Sequence, residues 1–291
     1  MKTILVPVDF SKPSENASRY ALHLAKYLKA DILLCHAVYI PVEVPTEPFG
    51  SWPGYDFDTL KDEGTKGLEE IAHKLRNRVA DYSMPGYFQP EITCMAECGA
   101  PVDVIKQIAK HAKISMIVMG MTGASPAARL LFGSISRRMI DQTTFPLILV
   151  PEGQTFSKIK KICFATDLAD DDIDAIHSIA GFSRFFDADL LIAHASDGDS
   201  DDESHQKKLN SFMNDVTCKI NYDKLYFRHV EKSSINKGLE WLAEYGLIDL
   251  LVMVHRQKGL FASMFSSHTH VVANYQNIPL FVMPAGLQPV F

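Results

Sequence analysis

The 291-residue chain is poor in cysteine, with only Cys35, Cys94, Cys98, Cys163 and Cys218. An odd number at irregular spacing excludes a disulfide framework, and unpaired thiols suit a reducing compartment. Positive charge is not in excess either. Lys and Arg number 29 against 35 Asp and Glu, a formal net charge of −6. That balance gives no bulk attraction to nucleic acid or anionic membranes, so a phosphate-bearing ligand has to be held by local geometry. No apolar run approaches the length that crosses a bilayer. The opening run is short and interrupted by Asp9, unlike the core of a secretory leader. These absences lead to the expectation of a cytoplasmic protein.

What is present is an ordinary globular composition, 47% hydrophobic and 22% charged, in a length that suits about two domains. The chain repeats itself. Residues 2–9 read KTILVPVD and residues 160–167 read KKICFATD; residues 30–38 read ADILLCHAV and residues 188–196 read ADLLIAHAS. Both pairs share one offset, so no gap lies between them. Further on, MIVM at 116–119 matches LLVM at 250–253, and FPLILVPEG at 145–153 matches IPLFVMPAG at 278–286. The second copy is the shorter one, having lost residues mostly from its middle. The expected domains are 1–152 and 159–291, joined by a short linker.

Each copy begins with a short β-branched apolar run, 4–8 and 162–166, of the kind that suits strands buried on both faces. A polar turn and a helix follow. In the first copy Ser14 is the expected N-cap, and Ala17, Ala21, Leu24, Ala25 and Leu28 have helical spacing. Further strands are expected at 32–38, 91–97, 116–119 and 146–150, with helices between them. Strands alternating with helices predict a parallel α/β sheet. The expected fold class is therefore two tandem open, mostly parallel five-stranded sheets with helices on both faces, Rossmann-like. The switch in strand order is expected beside strand one. The apolar closing runs PLILVP and PLFVMP would each leave an exposed edge.

After the fourth strand come Gly120, Met121, Thr122 and Gly123, then nine residues, then Gly133 and Ser134 opening a helix. Glycines let backbone N–H groups approach a ligand closely. A helix N-terminus adds unpaired donors and partial positive charge. The loop falls at the carboxyl end of a parallel strand, where open α/β sheets bind ligands. It lacks the G-K-[ST] triplet of a P-loop, so no lysine reaches terminal phosphates. Arg129, Arg137 and Arg138 are nearby cations that read as helix surface.

The spacing G-x2-G-x9-G-S resembles the nucleotide loop of the ATP-binding branch of the universal stress protein family. The opening ILVPVD, the ADILLCHAV strand, Gly99-Ala100-Pro101, the IVMG strand and the closing PLILVP extend that resemblance over nearly the whole chain, twice. It implies an adenine nucleotide (ATP, ADP or AMP) in the first copy, with Mg²⁺ as an accompanying ion. Asp9 resembles the acidic residue near the adenosine moiety. Pro7 and Val8 would lie beside the base, and Val38 would present backbone to the adenine edge. Gly120, Gly123, Gly133 and Ser134 would hold phosphates, with Ile135 continuing the helix whose amides face them. The resemblance further implies that the two closing edges pair with each other, an intrachain imitation of a homodimer. It also implies a regulatory role in the stress response, with an unidentified protein partner.

The second copy departs from this pattern. Val254 stands for Gly120, Ser266 and Ser267 stand for Gly133 and Ser134, and Gly123 falls near Arg256 or Gln257. Only Gly259 survives in the region, out of register. Asp167 is retained, while Pro7 and Val8 have become Ala165 and Thr166. Poor nucleotide binding is expected there. His255, His268 and His270 are read as loop histidines, and His36 and His194 as core or edge histidines, so no metal is expected. Cys94 and Cys98 would lie about 13 Å apart along a strand, too far for one metal. The aromatic, Pro-rich segment 41–55 and the acidic run 197–203 read as surface loops. No catalytic residue is identified. Two alternatives stay open: a slow ATPase or phosphotransferase, or a nucleotide-free protein-interaction module.

Overall fold

The structure, a computed structural model, describes residues 2–39, 57–81, 88–121, 134–142, 144–197, 203–232, 248–256, 278–287 and 291. The chain divides into two compact units, Met1–Met119 and Gly120–Phe291. Gly123, Gly133, Arg129, Gly259, Ser266, Ser267, His268 and His270 lie outside the described residues, as do segment 41–55 and most of the acidic run.

The first unit runs β1 (Lys2–Pro7), α1 (Lys12–Leu28), β2 (Ala30–Val38), α2 (Phe57–Asp81), β3 (Ile92–Cys98), α3 (Pro101–His111) and β4 (Ile114–Gly120), whose last residue opens the second unit. The strands lie in the order β3-β2-β1-β4, with β1 parallel to both β2 and β4 and β2 parallel to β3. The order therefore reverses between β1 and β4, as the repeat pattern predicts. Ile4, Leu5 and Val6 are fully buried, as a central strand covered on both faces requires. Helix α1 buries Ala17, Ala21, Leu24, Ala25 and Leu28 on one face. Its N-cap is Ser11, not Ser14: the Ser11 side chain accepts from the Ser14 amide. Pro13 accounts for the earlier start, because proline is favoured in the first turn, where its missing N–H costs nothing.

The second unit contains α4 (Ser134–Gln142), β5 (Leu147–Val150), β6 (Lys161–Thr166), α5 (Asp172–Arg184), β7 (Asp189–Asp197), α6 (Glu203–Lys219), β8 (Leu225–Lys232), β9 (Leu250–His255) and β10 (Leu280–Pro284). Its strand order is β5-β10-β9-β6-β7-β8. The five strands from β10 to β8 are parallel throughout. Strand β5 joins them antiparallel to β10, pairing Leu149 with Leu280, Ile148 with Phe281 and Leu147 with Val282. The two closing strands of the repeat thus meet, and Ile148 faces its own counterpart.

The repeat extends to backbone detail. Phe10 and its counterpart Leu168 both adopt left-handed φ, 62° and 60°, and Lys29 and Asp187 do the same at 51° and 57°. Bulky residues seldom accept that region. Finding it twice, immediately after Asp9 and Asp167, marks the turn off the sheet end as a property of the fold. His36 Nδ1 donates to the Val8 carbonyl at 2.7 Å, and His194 Nδ1 donates to the Thr166 carbonyl at 2.9 Å. Both histidines thus tie the second strand of their copy to the end of the first.

Candidate functional site

In the first unit, β1 ends at Pro7 in register with Cys35, and the Val8 amide donates to the Cys35 carbonyl at 2.8 Å. Pro7 and Val8 are therefore fixed by the sheet, with Val8 buried and Asp9 exposed beyond it. The Ser11 amide and hydroxyl both donate to Asp9 Oδ1, at 3.1 and 2.5 Å. Burial pushes the Asp9 carboxyl up, but the hydrogen bonds from Ser11 and Ser14 outweigh it and hold the group below the ordinary carboxylate range. Asp9 is thus an anion at neutral pH, oriented by one oxygen, with no cation paired to it among the described residues. Val38 ends β2, and its carbonyl accepts from the Gly99 amide at 3.0 Å. Gly99 has φ +148°, and a Cβ there would lie 3.0 Å from Val104, so the turn into α3 needs glycine.

In the second unit, Gly120 closes β4, and the next residue, Met121, donates its amide to Val150 at 2.8 Å. Ser134 is the first residue of α4 and is exposed, as are Ile135, Arg137 and Arg138. The first amides of such a helix have no partner within the helix.

The corresponding edge of the second copy is built differently. Arg256 follows β9 and reaches three carboxylates. Its guanidinium lies 3.3 Å from Asp167, 2.6 Å from Asp171 and 2.6 Å from Asp172. Asp172 is almost fully buried and also accepts from the Thr166 hydroxyl at 2.6 Å, which in turn accepts from the Leu168 amide. Burial pushes the Asp172 carboxyl up, and the Thr166 and Arg256 hydrogen bonds offset only part of that. Burial also opposes the charge on Arg256, but the surrounding carboxylates more than compensate and hold it firmly protonated. Asp167 is the counterpart of Asp9, so the acidic position retained in the second copy is ion-paired within the chain itself. Val254, in the place of Gly120, is buried in register with Met283.

Sequence reasoning noted Arg256 only as the residue displacing a glycine. The acidic cluster after Asp167 facing a single cation after the fourth strand was the available signal. His255 of the three loop histidines ends β9, 3.7 Å from Asp141. All five cysteines are unpaired, and burial pushes the thiols of Cys35, Cys94 and Cys163 up to about 12, away from the thiolate form. Among the described residues no helix is long and apolar enough to cross a membrane.

An open parallel sheet with its strand order switching beside the first strand defines an α/β protein of the doubly wound kind. A model of the universal stress protein family matches residues 1–151. A universal stress protein of Methanocaldococcus jannaschii is 30% identical over 149 residues, covering 51% of this chain and 81% of the relative. One from Bacillus subtilis is 28% identical over 149 residues, covering 50% and 97%. The crystal structure of a universal stress protein from Archaeoglobus fulgidus aligns over 98% of each chain with a TM-score of 0.69 at 18% identity, a likeness of fold. The chain belongs to the universal stress protein family.

Proposed function

We propose that this protein is an adenine-nucleotide-binding regulator with one site, held by the first copy of the repeat, residues 1–152. The second copy, residues 159–291, serves structure or interaction. The observation that carries this reading is the unequal fate of one acidic position. Asp9 is oriented by Ser11 and has no cationic partner among the described residues, whereas Asp167 is bound by Arg256. A carboxylate free of internal cations can accept hydrogen bonds from ribose hydroxyls or an adenine amine. One already paired offers little to a ligand.

The phosphates fall to Gly120, Gly123, Gly133 and Ser134, with Pro7, Val8 and Val38 around the base and Ile135 in the helix that follows. Mg²⁺ would accompany a triphosphate. The loop sequence carries no P-loop lysine, and no general base for phosphoryl transfer is identified among the described residues, so binding rather than turnover is the expected output. Denaturing mass spectrometry of the purified protein tests the reading directly. Release of ATP, ADP or AMP supports it, and a chain that neither carries nor takes up nucleotide is an interaction module instead. A phosphate-release assay separates the binding protein from a slow ATPase.

A further inference from the structure

The second unit holds a cluster that the nucleotide reading does not use. His194 on β7, His229 beside it on β8 and His205 on α6 bring one ring nitrogen each to within 4.8 Å of one another. His194 is 9% exposed. Its Nδ1 donates to the Thr166 carbonyl at 2.9 Å. A carbonyl only accepts, so the proton sits on Nδ1 and the lone pair on Nε2. That Nε2 is buried with no hydrogen-bond partner, and so is Nε2 of His205. Two buried ring nitrogens without partners are costly unless something fills the space between them.

We propose that His194, His205 and His229 form a zinc site, with the Thr166 carbonyl as the group that orients His194. A metal-bound histidine ordinarily donates its other N–H to a carbonyl or carboxylate, which sets tautomer and ring orientation. The Thr166 bond supplies that arrangement before any ion binds. Tetrahedral zinc, with Zn–N of about 2.0–2.1 Å, sets ligand nitrogens roughly 3.4 Å apart. Ion binding would draw the three nitrogens, within 4.8 Å of one another, to that spacing by side-chain rotation. Three protein ligands leave a fourth position open. His194 and His229 also line a cavity of about 150 Å³ together with Thr166, Leu168 and Phe212, which has room for a water or a small anion. Imidazole nitrogens suit zinc and its neighbours in the first transition row, whereas magnesium and calcium require oxygen.

The first copy argues by contrast. There His36 has the same carbonyl bond, but Ala96 takes the strand position of His229. Helix α2 presents Gly64 at that place, where even a Cβ would come within 3.1 Å of Ala96 and 3.2 Å of the His36 ring. The Phe10 ring lies 4.5 Å from His36 on another side. The space is closed by packing, and one imidazole remains. In the second copy the same location holds three.

The bland alternative is a stack of imidazoles, whose ring centroids lie 5.3, 5.6 and 5.9 Å apart. Calorimetry on the full chain after chelator treatment separates the two, using Zn²⁺, with Co²⁺ as a spectroscopic probe. The proposal expects one Zn²⁺ per chain with a Kd of about 1 µM or tighter, and the visible bands of four-coordinate Co²⁺. His205→Ala, on the half-exposed face of α6, is expected to weaken binding about 100-fold, as is His229→Ala, with unchanged circular dichroism. His177→Ala is expected to change nothing. The proposal is overturned by the absence of saturable binding, by binding that survives both His205→Ala and His229→Ala, or by binding lost instead in His268→Ala or His270→Ala.

Discussion

Arg256 Nη1 stands 3.3 Å from Asp167 Oδ1, and the same guanidinium holds Asp171 and Asp172. The contact joins the residue after the fourth strand to the residue after the first, the two places from which the first copy would grip a nucleotide. In the second copy the chain has supplied its own cation there. The retained acidic position of the second copy is thus engaged inside the chain.

The network has a measurable cost of removal. Arg256→Ala leaves the buried Asp172 charge uncompensated, which is expected to cost about 3–5 kcal/mol. Because burial raises the folded pKa of Asp172 above its unfolded value, the ionised form penalises folding. Losing Arg256 enlarges that shift. The deficit is therefore fully present only above the raised folded pKa of the variant and shrinks as the pH falls through it. Urea unfolding at neutral and mildly acidic pH measures it. Adding Asp172→Asn to Arg256→Ala is expected to restore much of the lost stability, and a deficit independent of pH would count against the assignment.

Ser11 serves both a helix and a carboxylate. Ser11→Ala removes the cap of α1, at about 0.5–2 kcal/mol, and the two donors' side-chain share of the Asp9 environment. The Asp9 pKa is depressed in the folded state, so its contribution to stability is present above the unfolded pKa and is lost as the pH falls through the folded one. The variant is expected to titrate Asp9 at higher pH, observable by carboxyl-carbon NMR. An unchanged titration would show that the backbone amide alone sets it.

Ile148 and Phe281 pair at the centre of β5 and β10, and both are fully buried. Phe281 also packs edge-on against Phe182 at 5.4 Å. Phe281→Ala is expected to cost about 3–5 kcal/mol and Ile148→Ala about 2–5 kcal/mol. Chemical denaturation of each variant checks this; losses below about 1 kcal/mol would mean that the pairing contributes little.

Much of this was legible in sequence because it is local or periodic. Apolar runs marked the buried strands, and the spacing from Ala17 to Leu28 marked the face of α1. The repeat showed that β5 and β10 were equivalent strands with edges to cover. What escaped is long-range and aperiodic. Arg256 and Asp172 are far apart in sequence, and nothing in either segment announces the other. His194, His205 and His229 come from two strands and a helix, so their convergence depends on register. Ser14 was the expected cap because it precedes the helical spacing from Ala17 to Leu28. Pro13 and the Ser11 hydroxyl decided otherwise.

The central claim is a single nucleotide site per chain, and titration calorimetry with ATP tests it most directly. Each phosphate contact to a backbone donor is worth about 1.5–3 kcal/mol, and about 1.4 kcal/mol is tenfold in affinity, so a copy missing two or three falls behind by orders of magnitude. The account predicts a stoichiometry near one, abolished by Gly123→Val or Gly133→Val, weakened by Asp9→Asn, and untouched by Ser266→Ala. Two equal sites, or one that survives both glycine substitutions, would contradict it.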